Sequence, residues 1–592
     1  MCRWLFLLPS FLFGLSPIET GSMLYQAKSI AEKYNLEVAK TAPPNPLPQP
    51  SPPLALASIW FSIDLNEIAP PAFGSLASEE LWSHLREIGV QAVHLKGLKK
   101  GGTFRTGMNL DPKWGKGWDH LACLLQKKGI KLIGDAFGNA TGFTPDFTLA
   151  LQNAGEYPGI YHLIEIEPRD WKRLPEMGSC QKIANIPWLK LQELHKRGYV
   201  PEQFDPYRKE SRWNVTAPIQ GIDGKMRRWI YLKENQNDPV LDWLGSSFGA
   251  MRIALADVLH SVYNLDEKIF YIDGSIETNA QETLSLWMRK LGAFSAIETK
   301  GGLDHWKKNP GDLFVDNLTP PALLHALVTE NTEVLQLMYR LFLKGNIETK
   351  RLIHKLQPRN QFLFDYAAFL EENRSECFST EQRTTKTILQ KKLLKEDLFK
   401  IQGDAPLTLP SFCMGAFPLE KKWDEVMGVH LLFALFYAAQ PGVFSFSVSD
   451  LLGLTSNRPA SLLEPNEHSL YGSFPSQCKN SCSFASKLKN ILSMRINSTI
   501  ESAELVDVLP TCQKGLLVLL HRQKNQMLQM LAINLSKKPV YQTFDIPEIR
   551  HTTPINRITS LLEKKELNSS QFHLELPPLS GKVILFQTKY SD

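Results

Sequence analysis

Eight short apolar runs recur between residues 57 and 447, and most are separated by helix-patterned stretches. They read "ASIWFSID" (57–64), "AVHL" (92–95), "IKLIGDAF" (130–137), "KIFYID" (268–273), "AFSAIE" (293–298), "DLFVDN" (312–317), "LIHKLQ" (352–357) and "GVFSFS" (442–447). Runs this apolar, joined by helical crossovers, belong to parallel strands covered on both faces. Eight of them predict an α/β fold closed as a (β/α)8 barrel rather than an open sheet. Between them, "SEELWSHLREIGV" (78–90) carries apolar residues at helical spacing, and "GWDHLACLLQKKG" (117–129) does so and ends on a glycine.

Two stretches break the alternation. About 130 residues separate the third run from the fourth, and they contain "WNVTAPIQGIDGKMRRWIYL" (213–232), a hairpin candidate turning at Asp223-Gly224. This predicts a domain inserted after strand 3, over about 138–245. From about Glu504 the pattern is all strand, which predicts a C-terminal β-sandwich over 505–592. The barrel is expected over 54–504, preceded by a leader and a proline-rich linker, "PPNPLPQPSPP" (43–53). The leader "MCRWLFLLPSFLFGLSPIETGS" resembles a signal-peptide core, too short to span a bilayer, with Thr20-Gly21-Ser22 the best cleavage candidate. The chain is expected in the cytoplasm, or exported if residues 1–22 act as a signal. No other run has the length of a transmembrane helix.

Composition excludes several classes. The 66 basic residues exceed the 61 acidic ones by only five, too little over 592 residues to imply a nucleic-acid partner. The eight cysteines show no paired zinc spacing; Cys478 and Cys482 form a lone CxxxC, and the even count permits disulfides without requiring them. No phosphate loop, nucleotide fingerprint or metal cluster calls for a redox or nucleotide cofactor.

Catalytic groups of a barrel sit at the C-terminal ends of its strands. Here those ends carry Asp64, Asp135, Asp273, Glu298 and the segment Gln357–Gln361. Asp273 and Glu298 end successive strands, and two facing carboxylates are what glycoside cleavage needs, one as nucleophile and one as proton donor. The alternative is that either acid caps a helix or pairs with a lysine.

The order of pieces resembles the α-amylase superfamily, glycoside hydrolase family 13. In "LDPKWGKGWDHLACLLQKKGIKLIGDAFGNATG" (110–142) a "DP-x-x-G" turn, a helix and "D-x-x-x-N-H" follow one another; Asp135 and Asn139 match, and Ala140 takes the place of the histidine. The resemblance continues through "YPGIYHLIEIEPRDW", "RRWIYL", "DNLTPPALLHAL", "QPGVFSFSVSDLLG" and "LYGSFPSQ", and looks like the trehalose-synthase and maltosyltransferase-like branch. "GAMRIALADVLH" (249–260) mimics the "R-x-D" nucleophile motif, with Ala254 where the acid belongs. Its Met251, Leu255, Val258 and Leu259 recur at helical spacing, so it reads as a crossover helix before the true fourth strand.

Carried over residue by residue, the resemblance makes Asp273 the nucleophile and Glu298 the general acid/base, with carboxyls expected about 5–6 Å apart. It places Tyr271 where an arginine belongs, Arg359 at a histidine and Asn360 at a transition-state-stabilising aspartate. Asp135, Tyr271, Arg359 and Asn139 are thus expected to line the substrate site, with Asn139 also matching a calcium ligand of some amylases. Two carboxylates survive while four supporting groups are replaced. The resemblance therefore implies a protein of maltose or α-glucan metabolism, with catalysis weakened or lost. Two alternatives stand beside it, a working maltosyl- or glucosyltransferase with an altered site and a non-catalytic glucan-binding scaffold. Oligomeric state is not legible.

Overall fold

The computed structural model describes residues 58–68, 71–99, 110–141, 145–155, 157–178, 181–200, 211–234, 237–245, 249–298, 306, 311–356, 423–452, 484–544, 555–566 and 572–588. The leader, the proline-rich linker, Arg359, Asn360, Cys478 and Cys482 lie outside them.

All eight expected strands form, and they close into one parallel barrel. They are β1 (Ile59–Asp64), β2 (Ala92–Lys96), β3 (Lys131–Phe137), β4 (Glu267–Asp273), β5 (Phe294–Glu298), β6 (Leu313–Val315), β7 (Leu352–Lys355) and β8 (Val443–Ser447). Each pairs with its neighbours in sequence, and β8 closes on β1. Side chains alternate across the barrel wall. Trp60, Ala92, Ile133, Ile269, Tyr271, Ala296, Leu313, Ile353 and Val443 point inward and fill the interior. Their neighbours in sequence, Phe61, Val93, Phe270, Ile297 and Phe444, face outward into the core under the helices. This explains why the strands read as continuous apolar runs.

The helices that cover the barrel begin and end where local chemistry dictates. In α1 (Glu79–Glu87) the Ser78 hydroxyl accepts from the Leu81 amide at 3.3 Å, and Leu81, Trp82 and Leu85 form the buried stripe. α2 (Trp118–Lys127) stops at Gly129, whose φ of +67° turns the chain so that the Ile130 amide bonds back to the Leu125 carbonyl. The "GAMRIALADVLH" segment lies within α3 (Gly249–Asn264), so the mimic is a crossover helix and "KIFYID" is the fourth strand. The remaining helices used below are α4 (Thr278–Lys290), α5 (Thr319–Thr329), α6 (Glu333–Lys344), α7 (Trp423–Ala438) and α8 (Phe484–Ser498).

The insertion after β3 is a small antiparallel sheet in the order Leu163–Ile166, Met226–Leu232, Trp213–Thr216, Ile183–Asn185. Its expected hairpin is present: Ile219–Gln220 pairs with Met226–Arg227, and Gly224 takes φ +80° at the turn. Arg227 donates twice to Asp223 at 2.6 Å and locks that turn. At the base, Ala140 pairs with Val240, so the chain leaves and re-enters the barrel at one point.

The C-terminal domain has a six-stranded sheet: β9 (Glu504–Val508), β10 (Leu516–Arg522), β11 (Leu528–Asn534), β16 (Ser580–Thr588), β13 (Ile555–Ser560) and β14 (Lys565–Glu566), in that spatial order. A ribbon of β12 (Val540–Phe544) and β15 (Phe572–Leu576) covers one face. Leu516, Val518, Leu520, Met530 and Ile584 pack toward that ribbon, whereas Leu517, Leu519, Leu531, Ile533 and Val583 join the barrel core. With both faces buried, β10 and β11 lack the polar alternation of a solvated sheet.

The joint between barrel and sandwich is unusually polar. Arg495 of α8 is fully buried and donates to the carbonyls of Ala438 and Gln440 at 2.8 Å each, and to Gly442, capping the end of α7. His521, on the barrel-facing side of β10, is 1% exposed, and burial, with repulsion from His354 second, drives its imidazole from 6.5 to about 3. The folded protein thus keeps His521 neutral while the unfolded chain protonates it below pH 6.5. Its contribution is complete above that pH and shrinks by about 1.4 kcal/mol per pH unit on acidification. Urea midpoints measured from pH 7 to 4 should fall more gently in His521→Leu than in the native protein. Parallel acid slopes would show that this imidazole is not held neutral.

Candidate active site

Because β4 and β5 are parallel and in register, Asp273 stands directly opposite Glu298 at their C-terminal ends. Residues so paired point to the same side of the sheet, on strands about 4.8 Å apart. The Gly274 amide donates to the Glu298 carbonyl at 2.9 Å and extends the pairing one step past the strand ends. The two residues expected to act together therefore end neighbouring strands at the barrel mouth. Asp273 is half-buried and accepts from the amide and the hydroxyl of Ser275, both at 2.8 Å. These bonds tie it to its own turn. Glu298 is more open, with its side chain 54% exposed.

Beneath the pair lies Tyr271, two residues before Asp273 and 4% exposed. Its ring meets Trp60 edge-on at 6.2 Å and His94 at 5.1 Å. Burial, and then the charge of Glu298, push the phenol well above its ordinary range, so it stays neutral.

A cation of this mouth comes from β7. Lys355 reaches across the barrel and places its ammonium 3.2 Å from Glu298 Oε1 and 4.9 Å from the centre of the Tyr271 ring. The ring face and the carboxylate both favour a positive charge there. Position 271 on β4 thus carries a neutral ring, while Lys355 supplies a positive charge from three strands away.

Asp135 sits where β3 bulges, between the Gly134–Phe270 and Phe137–Ile272 pairs. Such bulges re-aim a side chain at a barrel rim. Asp135 is 6% exposed, and its Oδ1 accepts from the Gly97 amide and lies 3.2 Å from His94 Nε2. Burial holds the His94 imidazole below its ordinary value; the Asp135 hydrogen bond opposes that, and Lys96 and Lys355 add to it. Asn139 pairs through its carbonyl with the Leu241 amide, and Ala140 is buried in the bridge to Val240, where the sheet of the insertion begins. Among the described residues no three His, Cys, Asp or Glu side chains gather as a metal site.

Lys355, His94 and Ser275 were not anticipated. The signal for the first two was period two along their strands: Ile353 and Ala92 face the interior, so Lys355 and His94 do as well. What each would touch depends on the far side of the barrel, which sequence does not give.

No family model and no curated protein sequence matches this chain. Solved structures do. An α-amylase from H. orenii superposes with a TM-score of 0.55 at 12% identity, over 90% of this chain and 100% of that one. The fold is that of the α-amylases. A trehalose-6-phosphate hydrolase of Bacillus licheniformis gives 0.53 at 10% identity, over 89% and 99% of the two chains. The Geobacillus thermoleovorans α-amylase, solved with acarbose, gives 0.52 at 12%, over 90% and 98%. The amylase fold therefore extends over the insertion and the sandwich as well as the barrel.

The Lys355 ammonium has a consequence for placing a guanidinium at position 271. In Tyr271→Arg a second cation would enter beside the first, at a cost on the order of 1–3 kcal/mol. The single variant should be destabilised, and adding Lys355→Met should recover much of the loss. Urea denaturation of the four forms in a double-mutant cycle tests this. Strict additivity would mean that the ammonium and position 271 do not interact.

Proposed function

We propose that the barrel mouth binds α-linked glucosides, such as maltose or short α-glucans, and cleaves or transfers them slowly with retention of configuration. The in-register pairing of Asp273 with Glu298 carries this reading. Retention needs two carboxyls about 5–5.5 Å apart, a separation within reach of side chains on adjacent parallel strands about 4.8 Å apart. Asp273 would attack the anomeric carbon and Glu298 would assist the departing and incoming oxygens. The ligands named for neighbours of the same fold, acarbose and a cyclic maltosyl-maltose, agree with such a substrate class.

Slowness follows from the supporting groups. Asp273 has a hydroxyl and an amide beside it rather than a guanidinium. Asn360, at the position of a third acid, brings no charge to an oxocarbenium-like transition state. Losing such assistance is worth on the order of 1–3 kcal/mol per group, and more when groups act as a unit.

A second reading, a glucan-binding protein without turnover, is favoured by the Lys355–Glu298 ion pair, which engages the acid. Rates on maltose and maltotriose, with calorimetric binding of both, separate the two. Slow catalysis predicts turnover below about 1 per second, where ordinary enzymes span roughly 1–1000, and a loss of at least about a hundredfold in Asp273→Asn with binding kept. Binding with no rate in either form would favour the second reading. Turnover in the ordinary range would show that the replaced groups are dispensable.

A further inference from the structure

Resting on that catalytic reading, we infer that Lys355 fixes Glu298 as a base rather than an acid, so that the site selects glycosyl donors whose leaving group departs without a proton. The ammonium lies 3.2 Å from one Glu298 oxygen and is backed by the Tyr271 ring, so it is held on two sides. Its own side chain is only 22% exposed. An ammonium so held favours the carboxylate anion over the carboxylic acid. A general acid must carry the proton that it gives, whereas a general base must lack it.

Among the described residues beside Glu298, none serves as a replacement acid. The Tyr271 phenol is pushed far up by burial and is a poor proton donor near neutral pH. His94 is held neutral beside Lys96 and Lys355. Asp135 accepts from Gly97 and faces His94, and Asp273 is bound to Ser275 as an acceptor. Asp64, at the end of β1, accepts from the Asn66 amide at 3.0 Å.

The chemistry then divides into a step that works and one that fails. In the first half, an Asp273 oxygen bonds to the anomeric carbon and the bond to the leaving group breaks, its electron pair going with the leaving group. A sugar alkoxide leaves poorly without a proton, but fluoride or an electron-poor phenolate leaves as the anion it becomes. In the second half, Glu298 takes the proton of an incoming hydroxyl, whose oxygen bonds to the anomeric carbon as the Asp273 ester bond breaks. The proton then passes from the open Glu298 side chain to water. A donor for this site is one whose anomeric carbon was activated beforehand, as an ester of a strong acid is.

The experiment compares maltosyl fluoride, a series of aryl α-maltosides of graded phenol acidity, and maltotriose. The native protein should act on the fluoride and show a steep dependence of kcat/KM on phenol acidity. Lys355→Met, which keeps a chain over Tyr271, should flatten that dependence and raise maltotriose cleavage about tenfold or more, since acid assistance contributes about a hundred- to ten-thousandfold. Lys355→Arg should retain the native slope. A flat slope in the native protein overturns the inference without needing any variant, and so does an unchanged slope in a folded Lys355→Met. If Asp273→Asn still abolishes turnover in those cases, only the role of Lys355 falls. If the native protein processes none of these donors, the catalytic reading falls with it.

Discussion

The register between β4 and β5 is the constraint on which the site depends. Parallel strands repeat side-chain direction every two residues, so a slip of one residue would turn Glu298 into the helix layer while Asp273 stayed at the mouth. The register is held by the interior on one side and the helix-facing core on the other. Tyr271 pairs with Ala296 within the barrel, and Ile272 pairs with Ile297 outside it. A bulky tyrosine opposite a small alanine is how a tapered interior fills without voids. The same packing that stabilises the barrel therefore places the two acids.

Charge at the mouth is arranged across strands rather than within one. The position two residues before Asp273 holds a neutral ring, and the ring serves as a platform for an ammonium from β7. A cation seated there acts on Glu298 in place of Asp273. Asp273 relies on the turn after β4, through Ser275, for its orientation. The Asp135–His94 contact beneath stays neutral on its imidazole side and adds no proton donor.

Much of this was legible in the chain. All eight barrel strands, the crossover helix that mimics a nucleophile motif, the Asp223-Gly224 hairpin and the turn to all-strand pattern near Glu504 follow from local periodicity and turn chemistry, which act over a few residues. Within the sandwich, β9 and β14 leave little trace in the local pattern. β9 is only partly buried along most of its length and β14 is two residues long, so neither gives a clear pattern. Asp273 and Glu298 could be read because each ends a strand. Lys355 could not, since nothing local in "LIHKLQ" shows that its stem crosses the barrel to β5. The buried polar joint beneath the sandwich, with Arg495 and His521, was hidden for the same reason: its partners are distant in sequence. Arg359 and Asn360 lie outside the described residues.

The central claim is that Asp273 is a nucleophile positioned for attack at an anomeric carbon. A fluorinated α-glycosyl fluoride, which forms a glycosyl ester quickly and releases it slowly, tests it on the intact chain by mass spectrometry. The account predicts one glycosyl unit per chain, recovered after digestion on the peptide that contains Asp273, and none in Asp273→Asn. A label on Glu298 or elsewhere, or no label while the same sugar still binds, would contradict it.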